Sequence, residues 1–488
     1  MDKAKSIESS VKIGKKAFIG SVLIILVLMI VSGIMGKILP SGSFERVIEN
    51  SREIVINGSF QFIDAPDYAI WRWFTAPIEV LWGRDSLTVI TLCLLIIFIS
   101  GSVTVLESAG VITFMLDELV AKFKSRKYLL MALIIFLFMF LASFLGIYEG
   151  LVPLILFIVP LAHSIGWDSL TGLGMSLMPL AFGFSSAVTN PFTIGVAQKI
   201  AELPLFSGAW YRIIFFVVVY FCVYFFVSTY AKRIEKKPEL SNVYKEDLQI
   251  KNDTQEFHEH KLNDNEIINM KRAVIWFACA MSLAIILVLM ASFISFLSDL
   301  AFPLMGLSFL FGGIGSALIV KIPKRDILKF FGKGTLGILP GILLVLMAYS
   351  VKHIIDQAQI TDTILYMASG AIQEASPGAA AFLVYLLTLG MNFFIGSASA
   401  KAFLIMPILT PLADLVGITR QTAVLAFDFG DGFSNMIFPT NALLLIALGF
   451  TVVSYPKWIR WTFPIQLVML ALTCLFLYGA VQFGFGPF

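Results

Sequence analysis

The stretch that decides the fold is residues 169–198, SLTGLGMSLMPLAFGFSSAVTNPFTIGVAQ, which contains no Asp, Glu, Lys or Arg. Residues 128–148, 273–298 and 461–488 lack these four residue types as well. About 20 apolar residues in a helix cross the ~30 Å hydrocarbon core of a bilayer. Four such runs, with shorter apolar runs between them, cannot all be buried in one soluble core. The sequence therefore predicts an all-α polytopic membrane protein.

The overall composition agrees with a membrane protein. Of 488 residues, 58% are apolar and 14% are charged, whereas soluble domains carry about 25% charged residues. The net charge of +3 gives no indication of nucleic-acid binding. The four cysteines lie far apart in apolar runs, which argues against a disulfide framework or a zinc site. Because no acyl-transfer triad or phosphate-binding loop is recognisable, we predict neither an enzyme nor a bound cofactor.

Basic residues predict the orientation of the chain, since Lys and Arg accumulate in cytoplasmic loops. Basic clusters occupy 122–127, 232–237, 321–333 and 457–460, while 41–85 carries seven acids against four Arg. With a cytoplasmic N-terminus, all four clusters fall inside the cell. We predict a multi-pass protein of the bacterial inner (cytoplasmic) membrane whose first helix is retained rather than cleaved as a signal peptide.

Two halves of the sequence resemble each other at ordered positions. The pairs are offset by 251, 249 and 248 residues. They are Pro160-Leu-Ala162 with Pro411-Leu-Ala413, Gly183-Phe-Ser185 with Gly432-Phe-Ser434, and Asn190-Pro191 with Pro439-Thr-Asn441. The predicted topology places the halves in opposite orientations, which is typical of secondary transporters with sites at broken helices near the midplane.

These patterns divide the chain into predicted segments. They are a cytoplasmic N-terminus (1–17), a first inverted repeat (18–231), a cytoplasmic linker (232–271), a connecting helix (272–298) and a second inverted repeat (299–482).

Each repeat is expected to contain one re-entrant hairpin and one broken helix, in addition to about nine spanning helices in all. The hairpins are predicted at about 128–166 and 377–416, and the broken helices at about 169–201 and 418–450.

The first break contains small polar side chains around Pro191. Pro frees a backbone carbonyl one turn earlier, and such groups in hydrocarbon must be satisfied by protein or line a wet cavity. Freed carbonyls and hydroxyls can ligate a cation such as sodium, and the following helix N-terminus favours a carboxylate. The alternative is a kinked packing helix whose hydroxyls bond back to the backbone. The candidates are Ser185, Ser186, Thr189, Asn190 and Thr193.

The second break is charged. An acid at mid-bilayer costs at least ~2.5–3.5 kcal/mol on insertion scales, so Asp428 and Asp431 are candidates for a cation ligand, a proton carrier or the partner of a positive substrate group. One of them could instead cap a half-helix. The other candidates in this break are Ser434, Asn435, Thr440 and Asn441.

The hairpin tips carry the remaining candidates, which are Glu149, Ser397, Ser399 and Lys401. Two interpretations stay open. In the first, Glu149 and Lys401 face each other across a binding cavity. In the second, both loops reach water and the two charges are solvated.

Several motifs together resemble the YfcC/DcuC family of bacterial carriers, within the ion-transporter superfamily. They are Gly146-Ile-Tyr-Glu149, Thr189-Asn-Pro-Phe192, Gly396-Ser-Ala-Ser-Ala400, Pro407-Ile-Leu-Thr-Pro-Leu-Ala-Asp414 and Ala426-Phe-Asp-Phe-Gly-Asp-Gly-Phe-Ser434. The resemblance implies a scaffold domain, a moving transport domain and often a homodimer. Members are described as C4-dicarboxylate carriers or basic amino acid exchangers. This chain departs from the family at Lys401, where a neutral Gln is common.

We therefore predict a secondary active transporter, an antiporter or ion-coupled carrier, for a small carboxylate-bearing metabolite, with an amino acid favoured. Its carboxylate would bind at the breaks and its ammonium at Glu149 or Asp431. The alternatives are a C4-dicarboxylate carrier, a passive channel and an intramembrane aspartyl protease. The last is suggested by Phe429-Gly-Asp431, but its motif requires Gly at the position of Asp428.

Overall fold

The computed structural model describes residues 15–49, 52–123, 126–248, 263–291 and 300–486. Among these residues, nine helices are long and apolar enough to cross a membrane, which confirms the predicted all-α polytopic architecture. Two of the nine, Lys127–Leu145 and Ala398–Val416, fall within the predicted hairpins. Each is long enough to span without a partner, so the re-entrance of the hairpins stays a prediction.

The helices of the described residues follow the apolar runs, with shorter helices between them. In chain order they are α1 (Lys15–Ile38), α2 (Arg72–Glu79), α3 (Ser86–Ser108), α4 (Val111–Phe123), α5 (Lys127–Leu145), α6 (Ile155–Ser164), α7 (Ser169–Ser185), α8 (Val196–Ile200), α9 (Ala209–Lys236), α10 (Asp264–Ala291), α11 (Ala301–Ile319), α12 (Lys324–Ala358), α13 (Thr361–Gln373), α14 (Pro377–Met391), α15 (Ala398–Val416), α16 (Arg420–Gly432), α17 (Ala442–Gly449) and α18 (Tyr455–Gln482).

The acidic loop after α1 forms a small β layer that sequence reasoning missed. Two antiparallel pairs build it, and Asp362 at the start of α13 fixes it. The Asp362 carboxylate accepts a hydrogen bond from the Phe44 amide at 2.9 Å and forms an ion pair with Arg46 at 2.7 Å. The strands are β1 (Gly42–Ser43) with β4 (Gln61–Phe62), and β2 (Arg46–Glu49) with β3 (Arg52–Val55).

Two broken helices form the centre of the bundle. Helices α7 and α8 are separated by residues 186–190 and by a single wide turn, Pro191–Gly195. Helices α16 and α17 are separated by a 3₁₀ turn, Phe433–Met436, and by residues 437–441. The break before Pro191 has a direct cause, because the residue preceding a proline is driven out of the helical region.

Each broken helix lies against the two helices that precede it in the chain. Helices α5 and α6 both contact α7, and α14 and α15 both contact α16. Glycines permit the closest approaches. A Cβ at Gly183 would lie 2.5 Å from the Met139 carbonyl oxygen, and one at Gly430 would lie 2.7 Å from that of Tyr385. The polar breaks are thereby held among buried side chains.

Residues 246 and 247 of the predicted linker are anchored next to the start of α7 and to α18. The Asp247 carboxylate accepts hydrogen bonds from the Ser169 amide at 2.9 Å and the Ser169 hydroxyl at 2.6 Å. His163 Nε2 lies 3.5 Å from the same carboxylate. Next to Asp247, Glu246 forms an ion pair with Lys457 of α18. The linker therefore contacts both halves of the chain.

Candidate functional site

The two broken helices cross in direct contact. A Cβ at Gly432 would lie 2.2 Å from the Cα of Ser185, closer than real Cβ atoms come to backbone. Ser185 ends α7 and Gly432 ends α16. The crossing brings the polar breaks of both halves together.

A buried ion pair closes the second break. Lys401, in the first turn of α15, has no solvent exposure, and its ammonium contacts Asp431 Oδ1. The same ammonium donates to Asn392 Oδ1. Lys401 is thus buried, and its partners are Asp431 and Asn392.

Asn392 connects the residues of this break. Its Nδ2 donates to the Asp431 carbonyl at 2.9 Å, to Ser434 Oγ at 2.6 Å and to Asn435 Oδ1 at 3.0 Å. Asn441 Nδ2 donates to the same Asn435 oxygen at 2.9 Å. The Asn441 side chain also caps α17, since its Oδ1 accepts from the amides of residues 443 and 444. Three predicted site residues, Ser434, Asn435 and Asn441, thus belong to one network.

Neutral hydrogen bonds close the first break. Ser143 of α5 donates to the Ser186 carbonyl and accepts from the Val188 amide. The Ser186 hydroxyl bonds back to the Phe182 carbonyl at 2.8 Å. Ser186 therefore fits the alternative of a kinked packing helix, in which the hydroxyl bonds back to the backbone.

Thr189 and Asn190 also satisfy freed backbone groups in the first break. The Thr189 hydroxyl donates to the Phe144 carbonyl at 2.9 Å. Asn190 Oδ1 accepts from the amides of Phe192 at 2.9 Å and Thr193 at 3.3 Å, which makes it the cap of the half-helix that follows. Asn190 and Asn441 have the same role in the two halves.

Between the two closed breaks lies a group of buried oxygens that make no hydrogen bond of normal geometry with the described residues, and among them the Asp428 carboxylate faces the Thr193 hydroxyl and the Ala187 amide. A buried polar atom without a partner normally costs ~1–3 kcal/mol, so several together indicate a site for a ligand. Their side chains are at most 3% exposed. They are both carboxylate oxygens of Asp428, Asp431 Oδ2, Ser185 Oγ and Thr193 Oγ1.

A second buried cation, Arg212 of α9, acts on Asp428. Arg212 is fully buried, and its guanidinium donates to the carbonyls of Val188 at 3.0 Å and Ser207 at 2.9 Å. Its charge reaches Asp428 through space. The formal charges of the buried Arg212, Lys401, Asp428 and Asp431 side chains sum to zero.

The tips of the predicted hairpins differ in what the structure describes. Ser397 caps α15, and the Ser399 hydroxyl donates to the Phe192 carbonyl at 3.1 Å, which joins the second tip to the first break. Thr440 lies half-buried in the turn before α17. Glu149 begins a 3₁₀ turn, but its side chain lies outside what the structure describes. A Glu149–Lys401 arrangement across a cavity therefore stays a prediction.

Sequence reasoning missed Arg212, Asn392 and Ser143. Ser143 and Asn392 are lone polar residues in or just after long apolar runs, and such isolation is the signal that could have found them. Arg212 stands near the start of a long apolar helix, a position that normally indicates an interfacial charge.

Comparisons with known proteins cover nearly the whole chain. The family described as C4-dicarboxylate anaerobic carrier (DcuC) matches residues 19–482. An Escherichia coli K12 protein described as "Putative basic amino acid antiporter YfcC" is 27% identical over 412 residues, covering 83% of this chain and 80% of its own. An uncharacterised protein of Haemophilus influenzae is 25% identical over 450 residues, covering 91% and 83%.

Two solved structures are also similar to this chain. The YdaH transporter of Alcanivorax borkumensis has a TM-score of 0.44 and 19% identity, with coverage of 96% of this chain and 100% of its own. MtrF of Neisseria gonorrhoeae, from a class described as antimetabolite efflux pumps, has a TM-score of 0.42 and 16% identity, with coverage of 94% of each chain.

Proposed function

Because this chain belongs to the C4-dicarboxylate anaerobic carrier family, we propose that it is a secondary active transporter that moves an amino acid across the bacterial cytoplasmic membrane by alternating access. Family membership confirms the prediction of a transporter and not an enzyme, so the intramembrane protease alternative is wrong.

The observation that carries the choice of substrate is the balanced charge of the buried site. Arg212 and Lys401 offset Asp428 and Asp431, and all four side chains are fully buried. A zwitterionic amino acid adds no net charge to this site. A dicarboxylate would add two negative charges, which need two further cations or protons because uncompensated buried charge is costly. The E. coli relative is described as a putative basic amino acid antiporter, which supports an amino acid as substrate, with one net positive charge where that amino acid is basic.

The substrate ammonium is assigned to the oxygens that lack partners. Asp431 Oδ1 is already in contact with Lys401, whereas Asp431 Oδ2 and both oxygens of Asp428 have no hydrogen-bond partner among the described residues. The substrate carboxylate is assigned to the positive ends of the half-helix dipoles at Asn190 and Asn441, where a direct hydrogen bond to the first amides would displace the Asn side chains that accept from them now.

The closed state of the site supports alternating access. Asp428, Asp431, Ser185 and Thr193 are buried, so a substrate can enter only after the surrounding helices move. The proposal keeps a cytoplasmic N-terminus, and it includes a counter-substrate or coupling ion and a homodimer as partners.

A C4-dicarboxylate is the second candidate substrate. The family description supports it, and so do the two buried cations, Arg212 and Lys401, which offer countercharges for two carboxylates.

Counterflow in proteoliposomes tests these assignments. Vesicles loaded with unlabelled arginine, lysine, alanine, aspartate or succinate are exposed to the labelled compound. We expect saturable counterflow for an amino acid, lost in Asp428→Asn and reduced in Asp431→Asn and Glu149→Gln. Exposed Asp117 of α4 provides the control, since Asp117→Asn should keep the wild-type rate.

The outcomes are distinct. If succinate shows counterflow and no amino acid does, the proposed substrate is a dicarboxylate and not an amino acid. Unsaturable flux of every compound would indicate a channel and overturn the carrier. Wild-type amino acid counterflow in Asp428→Asn would remove the assigned ammonium site.

A further inference from the structure

The Lys401 ammonium contacts two buried oxygens of the kinds that bind a hard cation. These two oxygens, the carboxylate oxygen Asp431 Oδ1 and the amide oxygen Asn392 Oδ1, form the Asp431 cage. Oxygen ligands of these two types, carboxylate and amide carbonyl, are preferred by alkali and alkaline-earth ions.

Asn392 is oriented for this task. Its Nδ2 donates to three acceptors, the Asp431 carbonyl, Ser434 Oγ and Asn435 Oδ1, at 2.6–3.0 Å. With the nitrogen fixed in this way, Oδ1 must point to the opposite side, where the ammonium lies. The two oxygens therefore accept a positive charge or a hydrogen-bond donor and would repel an acceptor or an anion.

The second acid is treated differently. Both oxygens of Asp428 lack a hydrogen-bond partner among the described residues, and the donors of Arg212 are taken by backbone carbonyls. One carboxylate of the site is thus neutralised by contact and the other only through space. The cation requirement at Asp431 is already met by the chain itself.

We propose that Lys401 is a tethered cation that occupies at Asp431 the position of a monovalent metal ion. The second break then closes without an external cation, and removal of the Lys401 charge creates a sodium-binding site there. The inference rests on the proposed function only in that the Asp431 cage is part of the transport site.

Thermal unfolding of the purified protein tests this directly, without any substrate. Wild-type protein and Lys401→Gln are compared in sodium, potassium and N-methylglucamine chloride at equal ionic strength. For Lys401→Gln we expect a saturable rise in melting temperature of ~2–5 °C in sodium over N-methylglucamine. The wild type should show no sodium response that depends on Asp431.

The double variant Lys401→Gln with Asp431→Asn provides the control, because its cage is neutral. Its melting temperature should be the same in the three salts. A sodium response in the double variant equal to that of Lys401→Gln would overturn the proposal. So would a wild-type sodium response that Asp431→Asn abolishes, since Lys401 would then not fill the site.

Poor folding of Lys401→Gln leaves the proposal open to test. In that case Lys401→Ala is purified with sodium, ammonium or methylammonium chloride present throughout. Recovery of folded protein with a small cation, and not with N-methylglucamine, supports the tethered cation. Failure with every cation overturns it. Neither outcome depends on which metabolite shows counterflow, so the two proposals fail separately.

Discussion

The two breaks share a geometry and differ in the chemistry that closes it. In the first, the Ser143 hydroxyl bonds to the backbone around Ser186. In the second, Asn392 takes the corresponding position, and the Lys401–Asp431 ion pair is added. Interrupting a helix in hydrocarbon leaves backbone groups that neutral side chains can satisfy. The second break is closed by neutral hydrogen bonds and by an ion pair, so it differs from the first in carrying charges that can respond to a charged ligand.

The largest expected difference between the breaks is in the cost of removing their closing side chains. Lys401→Met leaves Asp431 buried without its countercharge, which destabilises a protein by about 3–5 kcal/mol. Ser143→Ala removes a neutral partner and should cost about 1–3 kcal/mol. Equilibrium unfolding of the detergent-solubilised protein measures both.

Exposed Lys199 provides the matched control for Lys401. Lys199→Met should change the free energy of unfolding by less than ~0.5 kcal/mol. Equal costs for Lys401→Met and Ser143→Ala would remove the distinction between a charged and a neutral break.

The crossing of the two breaks should be the next most sensitive point. Gly432→Ala places a Cβ on the Ser185 backbone, and overpacking of this kind costs about 1–3 kcal/mol. Gly390 has open space around its Cα, so Gly390→Ala should be neutral or slightly stabilising. Melting curves of the two variants decide. Similar melting temperatures would show that the helices can separate at the crossing without cost.

The half-helix caps should behave alike in the two halves. Asn190→Ala and Asn441→Ala each remove a side-chain acceptor from two amides, and loss of an N-cap costs about 0.5–2 kcal/mol. Asn190→Ser and Asn441→Ser keep a neutral acceptor at the cap and should recover part of the loss. A severe defect in one half and none in the other would argue against equivalent roles.

The smallest effect on stability is expected at Asp247, a linker residue that contacts the first broken helix and has no described counterpart at the second. Burial raises the pKa of Asp247, but hydrogen bonds from His163 and Ser169 outweigh it and hold the pKa below its ordinary value of 3.8. A lowered folded-state pKa stabilises the protein above the unfolded pKa, and this stabilisation is lost as the pH falls through the folded value.

Asp247→Asn should therefore flatten the fall in melting temperature below about pH 4. The comparison runs from pH 3 to 7 against Asp117→Asn, an exposed acid of α4 that should keep the wild-type profile. An unchanged acid limb in Asp247→Asn would mean that the linker contact does not contribute to stability.

The sequence predicted the membrane helices and the polar breaks because apolar runs and their interruptions are local signals. It did not predict that Lys401 contacts Asp431 or that Arg212 lies near Asp428. Those pairs join residues from separate helices, and their distances depend on packing that no local pattern encodes. The β layer was missed for a related reason. Its strands are two to four residues long, and their anchor, Asp362, is more than 300 residues away.

The contact between Ser185 and Gly432 also has a mechanical consequence. At Ser185 and Gly432 the two backbones touch with no side chain between them, so no change of rotamer can absorb a shift of one helix against the other at this point. Asp428 lies one helical turn before Gly432 in α16. Thr193 lies in the turn that follows α7. A small rotation of one half therefore changes the distance between the Asp428 and Thr193 oxygens. The relative orientation of the two halves and the affinity for a bound substrate then depend on each other.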